Sequence, residues 1–227
     1  MLGSIANVTT AGEVVATGPV FAPAWAPRTK TASLAYQAAK RAFDVAVSLV
    51  LMWPLLLVAL GLLVLNPFLN NGSLFFVQER MGQNGRPFRA YKFRSMTDAP
   101  VIKRGAWDAL DSDRITPLGA ILRKARLDEL PQVLNVLKGD MSLIGPRPDF
   151  IDHARVYVNE VPGYRERHAV RPGISGFAQT EVGYVDGLEG VHAKVAADLY
   201  YVRHASILFD LWIAGRTLQV ILGRKGI

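Results

Sequence analysis

The sequence contains no cysteine, which removes disulfide frameworks, thiolate metal sites and thiol nucleophiles together. Acidic residues are in the minority, with 19 Asp and Glu against 26 Lys and Arg, a formal net charge of +7 over 227 residues. That excess suits an anionic lipid surface, a phosphorylated substrate or nucleic acid equally well. Charge is scarcest near the N-terminus, where Glu13, Arg28 and Lys30 are the only charged residues up to about residue 35. The same stretch shows no period of 2 or 3.6 and is punctuated by Pro19, Pro23 and Pro27. It reads as a poorly ordered leader, 1–38. The basic start and compact apolar run of a secretory signal are both missing from it.

What the chain has in excess is apolar residues, half of the total, more than a soluble domain ordinarily carries alongside a positive mean hydropathy. From Val45 to Gln78 no residue is charged, and in "VAVSLVLMWPLLLVALGLLVL" (45–65) fourteen of 21 residues are Leu or Val. At roughly −0.3 to −0.6 kcal/mol each near a bilayer centre, these favour insertion by about 4 to 8 kcal/mol. The segment (39–72) enters the membrane, and two paths fit it. One is a single crossing helix. The other dips in, bends at Pro54 and returns, because proline removes a backbone donor and clashes with the preceding turn. Lys40 and Arg41 before the segment, and Arg80, Arg86, Arg89, Lys92 and Arg94 after it, place basic clusters at both ends. A crossing would put one of them outside, against the positive-inside bias.

The remainder, 73–227, reads as one domain, which the resemblance described below makes the catalytic one. "SLFFVQERMGQNGRPFRAYKFRSM" (73–96) predicts a β-hairpin turning at Asn84-Gly85. Residues 97–115 read as irregular. Thr116-Pro117 predicts a helix start, with Thr as N-cap and Pro at the first helical position. A second helix is predicted from Asp128 through Leu130, Val133, Leu134 and Leu137 to Gly139. Residues 150–170 read as helical, "RPGISG" (171–176) as a loop, and Gly190 to Leu222 as two helices, the last amphipathic. The fold class is mainly α with a small β-hairpin.

The stretch "RLDELPQVLNVLKGDMSLIGPRP" (126–148) concentrates the chemistry. At a helix start Asp128 is an N-cap and Glu129 complements the dipole. The same position is a ready site for an anionic phosphate. Two adjacent carboxylates also suit a hard cation such as Mg²⁺, which commonly bridges to substrate phosphate, and an ionised Asp there is able to attack phosphorus. Arg147, stiffened between Pro146 and Pro148, offers a bidentate fork for phosphate oxygens.

These residues resemble the bacterial sugar transferases known as monotopic phosphoglycosyl transferases, or polyprenyl-phosphate hexose-1-phosphate transferases. The similarity runs in order through "KRAFDV" (40–45), "YKFRSM" (91–96), "RITPLGAILRKARLDELPQ" (114–132), "RPGISGFAQ" (171–179) and "DLYYV" (198–202). The resemblance implies transfer of a sugar-1-phosphate from a UDP-sugar to polyprenyl (undecaprenyl) phosphate, with release of UMP. That reaction opens exopolysaccharide or other glycoconjugate synthesis on the cytoplasmic face of the bacterial inner membrane. Carried onto this chain, it makes Asp128 the nucleophile of a covalent phosphosugar intermediate and Glu129 a ligand of an essential Mg²⁺. It puts Arg147, Lys92 and Arg94 on substrate phosphate, Lys40 and Arg41 near lipid headgroups, and Asp198 beside the site. It also implies a monotopic protein whose re-entrant helix bends at Pro54, with interfacial amphipathic helices, and no nucleic-acid partner. The family bend is usually Ser-Pro, whereas this chain has Trp53-Pro54, which leaves the bend geometry open. The N-terminal membrane module of larger relatives is not found ahead of residue 39, so a compact form with a short leader is expected. Two rival readings are a non-catalytic, membrane-anchored basic binding protein and a glycosyltransferase that releases UDP. Neither the sugar nor the oligomeric state is legible.

Overall fold

The computed structural model describes residues 33–70, 72–97, 105–108, 112–183 and 187–223. The leader reading over 1–32 and part of the irregular stretch 97–115 lie outside them. One long helix, α1 (Leu34–Leu69), is followed by a hairpin of β1 (Phe75–Met81) and β2 (Pro87–Phe93). Next come α2 (Pro117–Lys124), a 3₁₀ helix (Leu127–Gln132) and α3 (Val133–Lys138). Beyond them lie β3 (Ser142–Ile144), α4 (Ile151–Glu160), β4 (Gly173–Ser175), α5 (Phe177–Glu181), α6 (Gly187–His204) and α7 (Ile207–Leu222). The mainly helical reading with one hairpin holds. A second, parallel pair of strands, β3 with β4, replaces the loop expected at 171–176.

Helix α1 starts at Leu34, inside the expected leader, because Ser33 caps it: its Oγ accepts from the Tyr36 N–H at 3.1 Å. The helix continues through Pro54 and Pro67 without interruption, so Trp53-Pro54 does not divide it into two helices. At ~1.5 Å per residue its 36 residues span about 54 Å, well beyond a ~30 Å hydrocarbon core. Its buried residues are Asp44, Ser48, Leu55, Leu62 and Asn66, spaced 4, 7, 7 and 4, a single face of a helix. That face lies on the domain, whereas Trp53, Leu57, Val64 and Phe68 among others are exposed. This is the one helix among the described residues long and apolar enough to cross a membrane.

Both ends of α1 are tied to the same domain. Near its start, Tyr36 Oη and Lys40 Nζ donate to Asp210 Oδ2 at 2.9 and 3.0 Å. Arg41 donates to the carbonyls of Val136 (2.6 Å) and Leu137 (2.9 Å) in the last turn of α3. Near its end, Asn66 donates to Gly72 O (2.8 Å), and the cap residue Asn70 donates to Arg94 O (2.7 Å). Lys40 and Arg41, expected at lipid headgroups, therefore bond within the protein. The helix expected from Asp128 also differs. Its first turns are 3₁₀, the cap position is Arg126 with no side-chain cap bond, and Asp128 and Glu129 lie inside the first turn, buried. Pro131 explains the tighter turn, since it lacks the N–H that an α-helical ladder needs.

The domain core gathers Phe177, Tyr201, Phe209 and Ile213 with Val136 and Met141. A second cluster joins Leu55 and Leu62 of α1 to Phe93 of β2 and to Leu118 and Leu122 of α2. It seats the hairpin and the dyad turn against α1.

Candidate active site

Four separate segments converge on one cavity of about 140 Å³, lined by Lys92, Arg123, Arg126, Asp128, Glu129, Arg147, Gln179 and Gly183. The hairpin supplies Lys92. The end of α2 supplies Arg123, the turn after it supplies Arg126 and the two acids, the Gly-Pro-Arg-Pro segment after β3 supplies Arg147, and α5 with the residues after it supplies Gln179 and Gly183. Each segment is fixed by backbone chemistry. Asn84 (φ 55°) and Gly85 (φ 74°) close the hairpin in left-handed conformations, as the Asn-Gly pair predicts. Thr116 Oγ1 accepts from the Gly119 N–H at 2.9 Å and starts α2 where expected. Asn135 locks the hairpin to α3: its Oδ1 accepts from the Tyr91 N–H (3.1 Å) and its Nδ2 donates to Arg89 O (2.7 Å).

The main chain around Arg147 is held on both sides. Gly145 N donates to Ser175 O (2.8 Å) and Gly173 N to Pro146 O (2.9 Å). This approach is so close that a Cβ on Gly173 would lie 2.1 Å from Gly145 N, so the "RPGISG" glycine is there to let two backbones touch. Arg167 donates to Arg147 O and Arg80 to Pro148 O, both at 2.7 Å.

Glu129 is the electrostatic centre of the cavity. Lys92 Nζ donates to its Oε1 at 2.7 Å and Arg147 Nη1 to its Oε2 at 2.8 Å, while Arg147 Nη2 makes a second, short bond to Oε1. Burial alone would push its pKa up, but Arg147 and Lys92 outweigh burial and hold the carboxyl well below the ordinary range. Asp128 differs in every respect. It has no hydrogen-bond partner among the described residues, and burial, reinforced by the negative charge of Glu129, pushes its pKa up. Burial also lowers the Lys92 ammonium to about 8, although Glu129 opposes the shift.

The expected site residues thus divide. Asp128, Glu129, Arg147 and Lys92 come together. Arg94 does not line the cavity; its Nε donates to Ser73 O at 2.8 Å and pins the connection after α1. Asp198 lies behind the site, bonded to Arg167 Nε at 2.7 Å, and touches no cavity atom. Arg123, Arg126, Gln179 and the buried Arg167 were not singled out by sequence, although all four fall within or beside the quoted motifs. No spacing rule marks a residue that tertiary packing brings to a site. In this arrangement both Glu129 oxygens accept from cations, whereas the Asp128 oxygens accept from no group among the described residues. No group of three or more metal-ligating side chains occurs among the described residues.

Comparison with known proteins agrees with the motifs. The family model described as bacterial sugar transferase matches residues 35–224. A protein of Aeromonas hydrophila named UDP-N-acetylgalactosamine-undecaprenyl-phosphate N-acetylgalactosaminephosphotransferase is 42% identical over 82% of this chain and 44% of its own length. The exopolysaccharide production protein PSS of Rhizobium leguminosarum is 44% identical over 82% of this chain and 96% of its own. The UDP-glucose:undecaprenyl-phosphate glucose-1-phosphate transferase of Escherichia coli is 39% identical over 79% of this chain and 39% of its own. The chain therefore spans less than half the length of the Aeromonas and Escherichia relatives and nearly all of the Rhizobium one. With the family model covering all but the first 34 and last three residues, this chain belongs to the bacterial sugar transferase family.

Proposed function

We propose that this protein transfers a sugar-1-phosphate from a UDP-sugar to polyprenyl (undecaprenyl) phosphate and releases UMP. The names of its relatives support both substrates. The observation that carries the chemistry is the division of labour in the dyad. Glu129 is neutralised by Arg147 and Lys92, whereas Asp128 is unpartnered and opens to the cavity. A carboxylate whose basicity is raised and whose oxygens are free is the better nucleophile of the two. An Asp128 oxygen attacks the phosphorus bearing the sugar, an O–P bond forms, and the diphosphate P–O bond breaks with its electron pair leaving on UMP. A polyprenyl phosphate oxygen then attacks the same phosphorus and releases Asp128. Arg147, Lys92, Arg123 and Arg126 set four cations against two carboxylates, which suits substrates that arrive with additional negative charge.

Magnesium belongs to the proposal through Glu129 and Asp128, with Glu129 available once substrate phosphates attract Arg147 and Lys92. The ion would offset charge on the diphosphate.

The membrane path we propose is re-entrant, on the cytoplasmic face. Both ends of α1 bond to one domain, which favours a path that returns over one that crosses. The exposed apolar side chains of α1, Ile121 of α2, and Leu208, Leu211, Leu218 and Leu222 of α7 suit a lipid interface. Cysteines at Ser33 and Glu79 should both be shielded from an impermeant thiol reagent in intact cells. Labelling at Ser33→Cys alone returns α1 to a single crossing.

For the reaction, the purified protein is incubated with polyprenyl phosphate, Mg²⁺ and a panel including UDP-glucose and UDP-N-acetylgalactosamine. UMP with a lipid-linked diphosphosugar is expected. UDP release would assign a sugar-only glycosyltransferase, and no nucleotide release with any donor would favour a binding protein.

A further inference from the structure

Arg126 stands in a conformation that its side chain disfavours. Its backbone is left-handed (φ 58°, ψ 17°), and the other non-glycine residue with positive φ among the described residues is Asn84. Asparagine tolerates this region, whereas an arginine brings its Cβ too near the carbonyl oxygen. The turn itself needs only the main chain: Arg126 N donates to Arg123 O at 3.0 Å, and Arg126 O accepts from the Glu129 N–H at 3.4 Å. Glycine would make both bonds without strain. What glycine would not supply is the guanidinium.

That guanidinium lines the cavity yet makes no hydrogen bond to the described residues. Its nearest charge partner is Glu129 Oε2 at 4.0 Å, beyond hydrogen-bond reach. Glu129 is already engaged by Arg147 and Lys92, so Arg126 is a cation beside a carboxylate that others have neutralised. We propose that Arg126 binds a substrate phosphate, and that the strained turn is retained to aim its five donors into the cavity. The inference rests on the transfer reaction proposed above. The ligand chemistry is a phosphate oxyanion, which either the nucleotide diphosphate or the lipid phosphomonoester supplies.

The test compares Arg126→Gly and Arg126→Lys with the parent protein, measuring melting temperature and KM for each substrate at saturating concentration of the other. Arg126→Gly removes both the strain and the cation. It should melt at or above the parent temperature while KM for one substrate rises about tenfold or more. Arg126→Lys keeps the charge and the strain and should recover at least about a third of the lost efficiency. A rise confined to the UDP-sugar assigns Arg126 to the nucleotide, one confined to polyprenyl phosphate assigns it to the lipid, and calorimetry with UMP checks the first without turnover. If Arg126→Gly does not fold, Arg126→Asn, which also tolerates this backbone, replaces it. Both KM values within about twofold of the parent in the cation-free variant overturn the proposal. A parent protein that releases no UMP fails the reaction itself, a separate and recognisable result.

Discussion

Two aspartates, Asp128 and Asp198, sit in clusters built from the same parts. Each is buried, and burial pushes each carboxyl up. Each neighbours a second acid clamped by an arginine and a lysine: Glu129 by Arg147 and Lys92, Asp149 by Arg167 and Lys194. In both clusters the clamped acid falls below the ordinary range because its cations outweigh burial. The difference is access. Asp128 is 7% exposed at the wall of a cavity and has no hydrogen-bond partner among the described residues, whereas Asp198 is 1% exposed and holds Arg167 through two nitrogens, at 2.7 and 2.6 Å. A raised pKa therefore does not distinguish the two aspartates; access to the cavity does. The closed cluster serves the open one, because Arg167 also donates to Arg147 O.

The largest expected effect tests that separation directly. Asp128→Asn should reduce transfer by at least about a thousandfold, roughly 4 kcal/mol in the barrier, since an amide cannot act as this nucleophile. Its melting temperature should barely change, because Asp128 bonds to nothing that holds the fold. Turnover close to the parent by a folded Asp128→Asn protein would remove covalent catalysis from this residue.

Asp198→Asn should do the reverse. It leaves Arg167 short of a charge in a sealed site, and losing one partner of a buried pair costs about 3 to 5 kcal/mol, with the lower end expected for an amide that still accepts a hydrogen bond. Denaturant unfolding would register the loss. Activity should fall less than for Asp128→Asn, and chiefly through the placement of Arg147. Unchanged stability would show that the two clusters are not divided as described.

Arg147→Lys keeps the charge but loses the fork that now meets both oxygens of Glu129. At least a tenfold loss of transfer is expected, about 1.4 kcal/mol. Steady-state kinetics indistinguishable from the parent would make Arg147 a structural partner of Glu129 alone.

Legibility from sequence followed locality. The Asn-Gly hairpin, the Thr-Pro helix start and the apolar periodicity of α7 are set by neighbouring residues, and each occurs where the residues predict it. Asp128, Glu129 and Arg147 were visible because they lie within 20 residues of one another in a dense motif. What escaped depends on distant partners. The β3–β4 pairing joins residues some 30 apart through a glycine contact. The 3₁₀ start of the dyad turn reflects Pro131 and tertiary packing rather than capping. The resemblance puts Arg94 on substrate phosphate and Lys40 and Arg41 near headgroups, whereas in the folded chain Ser73, Asp210 and the end of α3 accept their hydrogen bonds. Composition reports that a cation exists, not which acceptor reaches it.

The smallest expected effect concerns pH and separates the two clamped acids by their lysines. Lys92 titrates at about 8 because burial outweighs the attraction of Glu129, so it is charged below that value and neutral above it. If its charge steadies Glu129 and the substrate phosphates, kcat/KM should fall as pH rises through about 8. An acid limb should lie above the ordinary aspartate range, because burial and Glu129 raise Asp128 and only its ionised form attacks. Arg does not lose its proton in this range, so Lys92→Arg should flatten the alkaline limb and leave the acid limb in place. Lys194→Arg, in the closed cluster, should leave both limbs where they are. An alkaline limb that persists in Lys92→Arg would assign it to another group and detach Lys92 from the chemistry of the open cluster.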